Sequence, residues 1–154
     1  MQATIENPQI KDFNRVNELA KQVHELHVNW RPDLFLSVDE VISQEEFEKR
    51  IQANEIFVAR IEDEIVGYIT INIKEKNNPI MRNRKQLQIE AICVDEKNRG
   101  KGIGIQLLKY VKQYGKKNNC TDMYLTVNEE NASAIKMYEE FGFKVKSIAY
   151  SMQI

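Results

Sequence analysis

Half of the chain's six glycines lie within five residues, Gly100, Gly102 and Gly104 in "VDEKNRGKGIGIQLL" (Val94 to Leu108). An alternating apolar run, Gln86 to Val94, precedes them, and a helical run with Ile103, Leu107, Val111 and Tyr114 on one face follows to about Lys117. This predicts strand, tight turn, helix. A helix start leaves four N–H groups unpaired and sits at the positive end of the dipole. Glycines let a ligand approach that backbone, and Arg99 and Lys101 add positive charge. A phosphate or pyrophosphate suits such a turn. The P-loop pattern requires Ser or Thr after Gly-Lys, but Gly102 follows Lys101. The dinucleotide pattern GxGxxG fails too, because the third glycine comes one residue early. A turn that merely joins strand to helix remains the alternative.

The rest of the chain frames that unit. Its 154 residues predict a single domain, residues 1–154, and 42% hydrophobic residues suffice for one core. A net charge of −1 gives no global attraction to nucleic acid or anionic membrane. No apolar run approaches the roughly 20 residues that span a bilayer, and the start lacks a signal-peptide pattern, so a soluble cytoplasmic protein is expected. Cys93 and Cys120 form no CxxC pair or zinc spacing, and no metal site is expected. Ala3 to Glu6 reads as a short strand, Ile10 to Trp30 as an amphipathic helix stopped by Pro32, and Ser43 with Glu46 as the cap of a second helix to about Gln52. Glu55–Ile61 and Glu64–Lys74 form a hairpin, and Lys76 to Lys85 a basic solvated loop. Thr121 to Val127 reads as a strand and Asn131 to Phe141 as a helix ended by Gly142. The tail from Phe143 to Ile154 alternates with a phase shift after Lys146, which predicts a final strand with a bulge. The order implies an α/β (α+β) mixed sheet with helices on both faces, and a parallel pair across the Gln86–Val127 unit.

Two motifs in register resemble the GNAT N-acetyltransferase superfamily. Its acetyl-CoA motif, Q/R-x-x-G-x-G/A, is matched by Arg99, Gly102 and Gly104; N-x-x-A-x-x-x-Y-x-x-x-G-F is matched by Asn131, Ala134, Tyr138, Gly142 and Phe143. The resemblance implies a mostly antiparallel sheet with one splayed parallel pair. It implies that Arg99, Gly100, Lys101, Gly102, Ile103 and Gly104 hold the CoA pyrophosphate. The strand before them, at Ile92, Cys93 and Val94, pairs with the pantetheine arm, chiefly through the backbone of Ile92 and Val94. Asn131 hydrogen-bonds that arm, and Tyr138 lies near the sulfur. A plain helix cap accounts for Asn131 as well, and a core tyrosine with its hydroxyl satisfied elsewhere accounts for Tyr138. A homodimer is a family-level expectation.

Acetyl transfer to an amine needs a neutral amine, donors for an oxyanion and a stabilised thiolate. Glu90, nine residues before Arg99, is the candidate base; alternation places it beside Ile92 and Val94, where a partly apolar cleft would strengthen it. Tyr138 is the candidate acid. Cys93, placed by alternation on the face opposite Glu90 with no nearby His, is expected not to act as nucleophile. Direct transfer in a ternary complex is therefore expected. The acceptor side falls on His24 to Glu40, with His27, Trp30, Arg31, Asp33 and Phe35 as a mixed aromatic and charged set for a cationic amine, or as a loop closed by an Arg31–Asp33 pair. Lys97, Lys116 and Lys117 are within sequence reach of a CoA 3′-phosphate, but surface lysines on a helix are the commoner explanation. Three readings stay open: an N-acetyltransferase for a small amine or a protein N-terminus, a non-catalytic CoA-binding module, and a nucleotide-binding domain that prefers ATP.

Overall fold

The computed structural model describes residues 1–154. A short strand β1 (Thr4–Glu6) leads into α1 (Phe13–Trp30) and α2 (Gln44–Gln52). Then come β2 (Ile56–Ile61), β3 (Glu64–Lys76), β4 (Arg84–Val94), α3 (Ile103–Lys117), β5 (Asp122–Tyr124) and α4 (Ala132–Phe141). The five strands lie in chain order across one sheet. The first three pairings are antiparallel, and β4 with β5 is parallel. Local chemistry sets the ends as expected. Ser43 Oγ accepts from the Glu46 amide and opens α2. Gly142, with φ of 118°, closes α4 in the left-handed region.

Both faces of the sheet are covered. Val16, Leu19, Phe47, Ile56, Val58 and Tyr68 form the core beneath α1 and α2. Phe57, Ile69, Leu87, Ile103, Leu107 and Val111 form the core beneath α3. Neighbours on β2 such as Phe57 and Val58 go to opposite cores, as the pleat requires. Gly67 on β3 has no room for a side chain, because a Cβ there would stand 2.8 Å from the Cys93 carbonyl oxygen.

Three expectations need correction. First, β4 does not alternate throughout. Thr70 pairs with Ala91 and Ile71 with Ile89, so Glu90 is the extra residue of a β-bulge. Leu87 and Ile89 pack on the α3 side, whereas Ala91 and Cys93 pack on the α1 side. The bulge reverses the phase, so Glu90 is not aligned with Ile92 and Val94, and Cys93 does not lie on the face opposite it. Second, β5 is three residues long rather than seven. It pairs with β4 only from Gln86 to Gln88, after which the strands part and Leu125 to Val127 run unpaired. Third, Phe143 to Ile154 forms no strand; Val145, Ile148, Tyr150 and Met152 lie exposed. An alternating pattern makes a strand only where a neighbouring edge supplies hydrogen bonds.

Candidate functional site

The glycine turn joins β4 to α3 where β4 and β5 part. Gly100 and Gly102 have φ of 75° and 79°, the left-handed region that L side chains rarely adopt. A Cβ at either would meet nothing within 4 Å, so it is conformation and approach, not packing, that require glycine. Gly104 differs. It lies in the first turn of α3, and a Cβ there would stand 2.6 Å from Met137 Sδ, so this glycine lets α4 close on α3. Ile103 is buried in the core and anchors the turn. The backbone amides from Arg99 to Ile105 donate to no group of the chain. Seven successive free amides at a helix start form an anion cradle.

The cradle is braced from below. Asp95, 4% exposed, opens the turn with its backbone N–H donating to the Val66 carbonyl at 2.8 Å. Its carboxylate accepts from Arg15 Nη2 at 2.6 Å and from Gln22 Nε2 at 3.2 Å, both on α1. Burial alone would push the Asp95 carboxyl up. The hydrogen bonds from Arg15, Gln22 and the Lys97 amide outweigh it and hold the group below the ordinary aspartate value. A depressed carboxyl stabilises the fold above its unfolded value of about 3.9, and that contribution is lost as pH falls through the lower folded value. Asp95→Asn is therefore expected to lower the melting temperature at pH 7 and to flatten its fall between neutral and acid pH. Melting curves taken across that range test this; unchanged curves would remove Asp95 from the brace.

Arg99 and Lys101 are drawn back onto the turn. Arg99 Nε donates to the Val94 carbonyl at 3.0 Å, and Lys101 Nζ to the Lys97 carbonyl at 3.1 Å. Lys116 and Lys117 stand at the far end of α3, fourteen or more positions beyond Gly102, remote from the cradle.

The parting of β4 and β5 opens a cleft of about 200 Å³, lined by Glu90, Ile92, Val127, Asn131, Tyr138 and His27 among others. Slots of about 530 Å³ lie at the outer edge of β5 and on α3, but neither touches the glycine turn, Glu90 or Tyr138. The cleft thus brings the Glu90 carboxylate into one wall lining with the Tyr138 phenol, 48 positions away in sequence, and with the Tyr68 ring.

Each side chain arrives by an identifiable route. The bulge turns Glu90 toward α2, where its Oε2 accepts from Arg50 Nη2 at 2.5 Å. Its side chain is 36% exposed. Its surroundings are thus a cation and solvent, not the apolar enclosure that alternation led to expect. Tyr138 is 8% exposed, and burial pushes its hydroxyl up to about 12. No group of the chain bonds that hydroxyl, yet it is not a sealed unpaired atom, so it meets the solvent of the cleft. Asn131 Oδ1 caps α4 by accepting from the Ala134 amide at 3.3 Å, leaving its Nδ2 free to donate. Cys93 is withdrawn: its Sγ donates to the Leu19 carbonyl at 3.0 Å, and burial pushes the thiol up to about 12. A thiol so placed is neither nucleophile nor cofactor contact through its side chain.

On the acceptor side only His27 of the five candidates lines the cleft. Its Nδ1–H donates to the Val23 carbonyl at 2.9 Å, and its ring lies 5.4 Å from Trp30 and 5.5 Å from Phe35. Trp30 and Phe35 therefore back the wall rather than form it. Arg31 and Asp33 are spent on each other through bonds of 2.9 and 2.7 Å. Sequence reasoning missed Arg50, His24 and Tyr68. Arg50 is 40 positions from Glu90, and nothing short of the tertiary fold pairs them.

A model of the acetyltransferase (GNAT) family matches residues 20–143. An N-alpha-acetyltransferase of Sulfurisphaera tokodaii is 35% identical over 96 residues, covering 57% of this chain and 55% of that protein. The chain spans about half the length, or less, of the curated relatives it matches. A tetramutant of a Bacillus halodurans protein superposes with a TM-score of 0.93 at 28% identity, over 98% of this chain and 99% of that one. An aminoglycoside N-acetyltransferase in complex with CoA superposes at 0.74 over 99% and 95%; at 18% identity it shows the shared fold alone.

Proposed function

The chain belongs to the acetyltransferase (GNAT) family, and on that premise we propose that it moves an acetyl group from acetyl-CoA to a primary amine by direct transfer. The carrying observation is the cleft itself, lined by both Glu90 and Tyr138 where β4 parts from β5. The amides of Arg99 to Ile105 receive the pyrophosphate. The free edge of β4 at Ile92 and Val94 receives the extended arm as a strand would be received. That arm displaces Arg99 from the Val94 carbonyl, and the freed guanidinium turns to the phosphates. Asn131 Nδ2 donates to the arm.

Alkyl amines have a pKa of about 10.4, so the acceptor arrives mostly protonated. Glu90 relays its proton away, directly or through water. The neutral nitrogen then attacks the thioester carbon, and backbone N–H groups of the splayed strands stabilise the oxyanion. As the intermediate collapses, the C–S bond breaks and sulfur leaves with its electron pair. Tyr138 donates a hydrogen bond to that sulfur. With a pKa of about 12 against about 8.5 for a thiol, full transfer of the tyrosine proton runs uphill. Tyr138 thus acts by charge stabilisation, and solvent or the released amine proton neutralises the thiolate.

The acceptor is a small-molecule amine or a protein N-terminus. The non-catalytic CoA-binding reading shares the cradle and differs only in turnover. Thermal shift tests the cosubstrate. At a hundred times its Kd a ligand adds about 2.7 kcal/mol, worth roughly 5–10 °C for a chain of this length. Acetyl-CoA is expected to give that rise and ATP none; the reverse would overturn the proposal.

A further inference from the structure

The cleft is lined by one buried polar side chain to which the transfer chemistry assigns nothing. Tyr68 stands on β3, 3% exposed, opposite Val58 on β2 and Cys93 on β4. Its ring packs in the core beneath α1 and α2. Its hydroxyl bonds no group of the chain, yet it is not a sealed unpaired atom. The little of Tyr68 that solvent reaches therefore includes the hydroxyl, and the cavity it lines is the cleft. Phenylalanine would fill the same ring volume without the cost of a buried hydroxyl left unbonded. A polar group so placed points to a partner that enters the cleft.

The charges in the same walls limit what that partner is. Glu90 is the one carboxylate among them, and no Asp, Lys or Arg joins it. Arg50 Nη2 holds Glu90 Oε2, which leaves Oε1 without a partner in the chain. Around it the walls are apolar, chiefly Val23, Val41, Ile92, Leu125 and Val127. His27 adds an aromatic edge backed by Trp30 and Phe35. An ammonium carried into such walls is costly unless it is paired. One amine is met at Glu90. A second would lie against valine and leucine, or against the His24 and His27 imidazoles, which offer no negative charge. A carboxylate on the acceptor fares no better, since no lysine or arginine lines the cleft to receive it. Size points the same way. The cleft holds about 200 Å³, below the roughly 300–1,000 Å³ usual for small-molecule sites.

We propose that the acceptor is a compact primary monoamine with an uncharged, apolar body, and that Tyr68 is the residue that seats its nitrogen. Tyr68 Oη accepts one N–H of the amine. Glu90 Oε1, directly or through water, takes the proton that must leave. The nitrogen lone pair is then free for the thioester carbon, and the apolar body lies against Val23, Val41 and His27. No bond to Tyr68 forms or breaks. Burial pushes the Tyr68 hydroxyl up, so it stays a neutral phenol and selects by geometry rather than by charge. The inference rests on the cleft being the site of acetyl transfer and adds the class of amine.

Thiol release from acetyl-CoA across an amine panel tests it, with the parent, Tyr68→Phe and Thr126→Asp proteins side by side. For the parent, phenethylamine and isopentylamine should show a kcat/KM at least about 10²-fold above spermidine, kanamycin, leucine and N-terminal peptides. Tyr68→Phe should raise the KM for those monoamines about tenfold, with the KM for acetyl-CoA and the melting temperature at parental values. Thr126 lies exposed on the cleft wall, so an aspartate there supplies a second carboxylate without disturbing the core. Thr126→Asp should make putrescine, a diamine, into a substrate. Turnover led by a polyamine, an aminoglycoside, an amino acid or a peptide overturns the acceptor class and leaves acetyl transfer standing. A Thr126→Asp protein that still rejects putrescine overturns the charge argument. A parental amine KM in Tyr68→Phe makes Tyr68 a core residue and overturns its role. No thiol release with any amine overturns the transfer reading itself, and this inference with it.

Discussion

Phenylalanine in place of Tyr138 is expected to lower kcat by about 10²-fold, or roughly 2.7 kcal/mol of transition-state stabilisation, with the KM for acetyl-CoA little changed. The reason is the isolation of the hydroxyl: it bonds nothing in the chain, so its removal leaves the fold intact and deletes only a contact made to the departing sulfur. The melting temperature of Tyr138→Phe should therefore match that of the parent. A variant with parental kcat would exclude Tyr138 from the chemistry. One that lost activity and stability together would make it a core residue. The raised hydroxyl value also carries a sign. The phenol stays neutral below about 12, so any loss of rate between pH 8 and 10 belongs to another group.

Glu90→Gln should cost about 10²-fold in kcat/KM near neutral pH. The amide keeps an oxygen for Arg50 Nη2 and preserves the volume, so the change removes the charge and the base while sparing the shape. Without a base, the variant depends on amine that is already neutral. Its rate should climb close to tenfold per pH unit toward the amine pKa of about 10.4, while the parent levels off earlier. Parallel pH profiles for the two proteins would show that Glu90 serves only to hold Arg50.

The parts of this site that are legible in the sequence are those that a few adjacent residues determine. Three glycines in five positions specify the turn. Asn131 and Gly142 mark the ends of α4 by capping chemistry, and both stand where expected. Features that depend on a pairing were hidden. The bulge at Glu90 exists only in the register of β4 against β3, and no local pattern in "LQIEAICV" distinguishes it from plain alternation. Alternation therefore assigned the faces of Ala91 and Cys93 wrongly, and with them the neighbours of Glu90. The Arg50 partner was hidden because it comes from another element. The tail shows the converse. Its alternation is plain in the sequence, but a strand also requires an edge, and within one chain no edge is bonded to it. The acceptor loop left two readings open in the sequence, and the structure has the internal one: Arg31 and Asp33 engage each other.

The central claim is that this cleft transfers an acetyl group. Its most direct test is to incubate the protein with acetyl-CoA and a panel of primary amines and N-terminal peptides, reading free thiol and product mass together. The account predicts thiol release that requires one class of amine, with an equal amount of that amine made heavier by one acetyl group. Acetyl-CoA that binds and raises the melting temperature, yet yields neither thiol nor acetylated amine with any member of the panel, would contradict it and leave a CoA-binding module in its place.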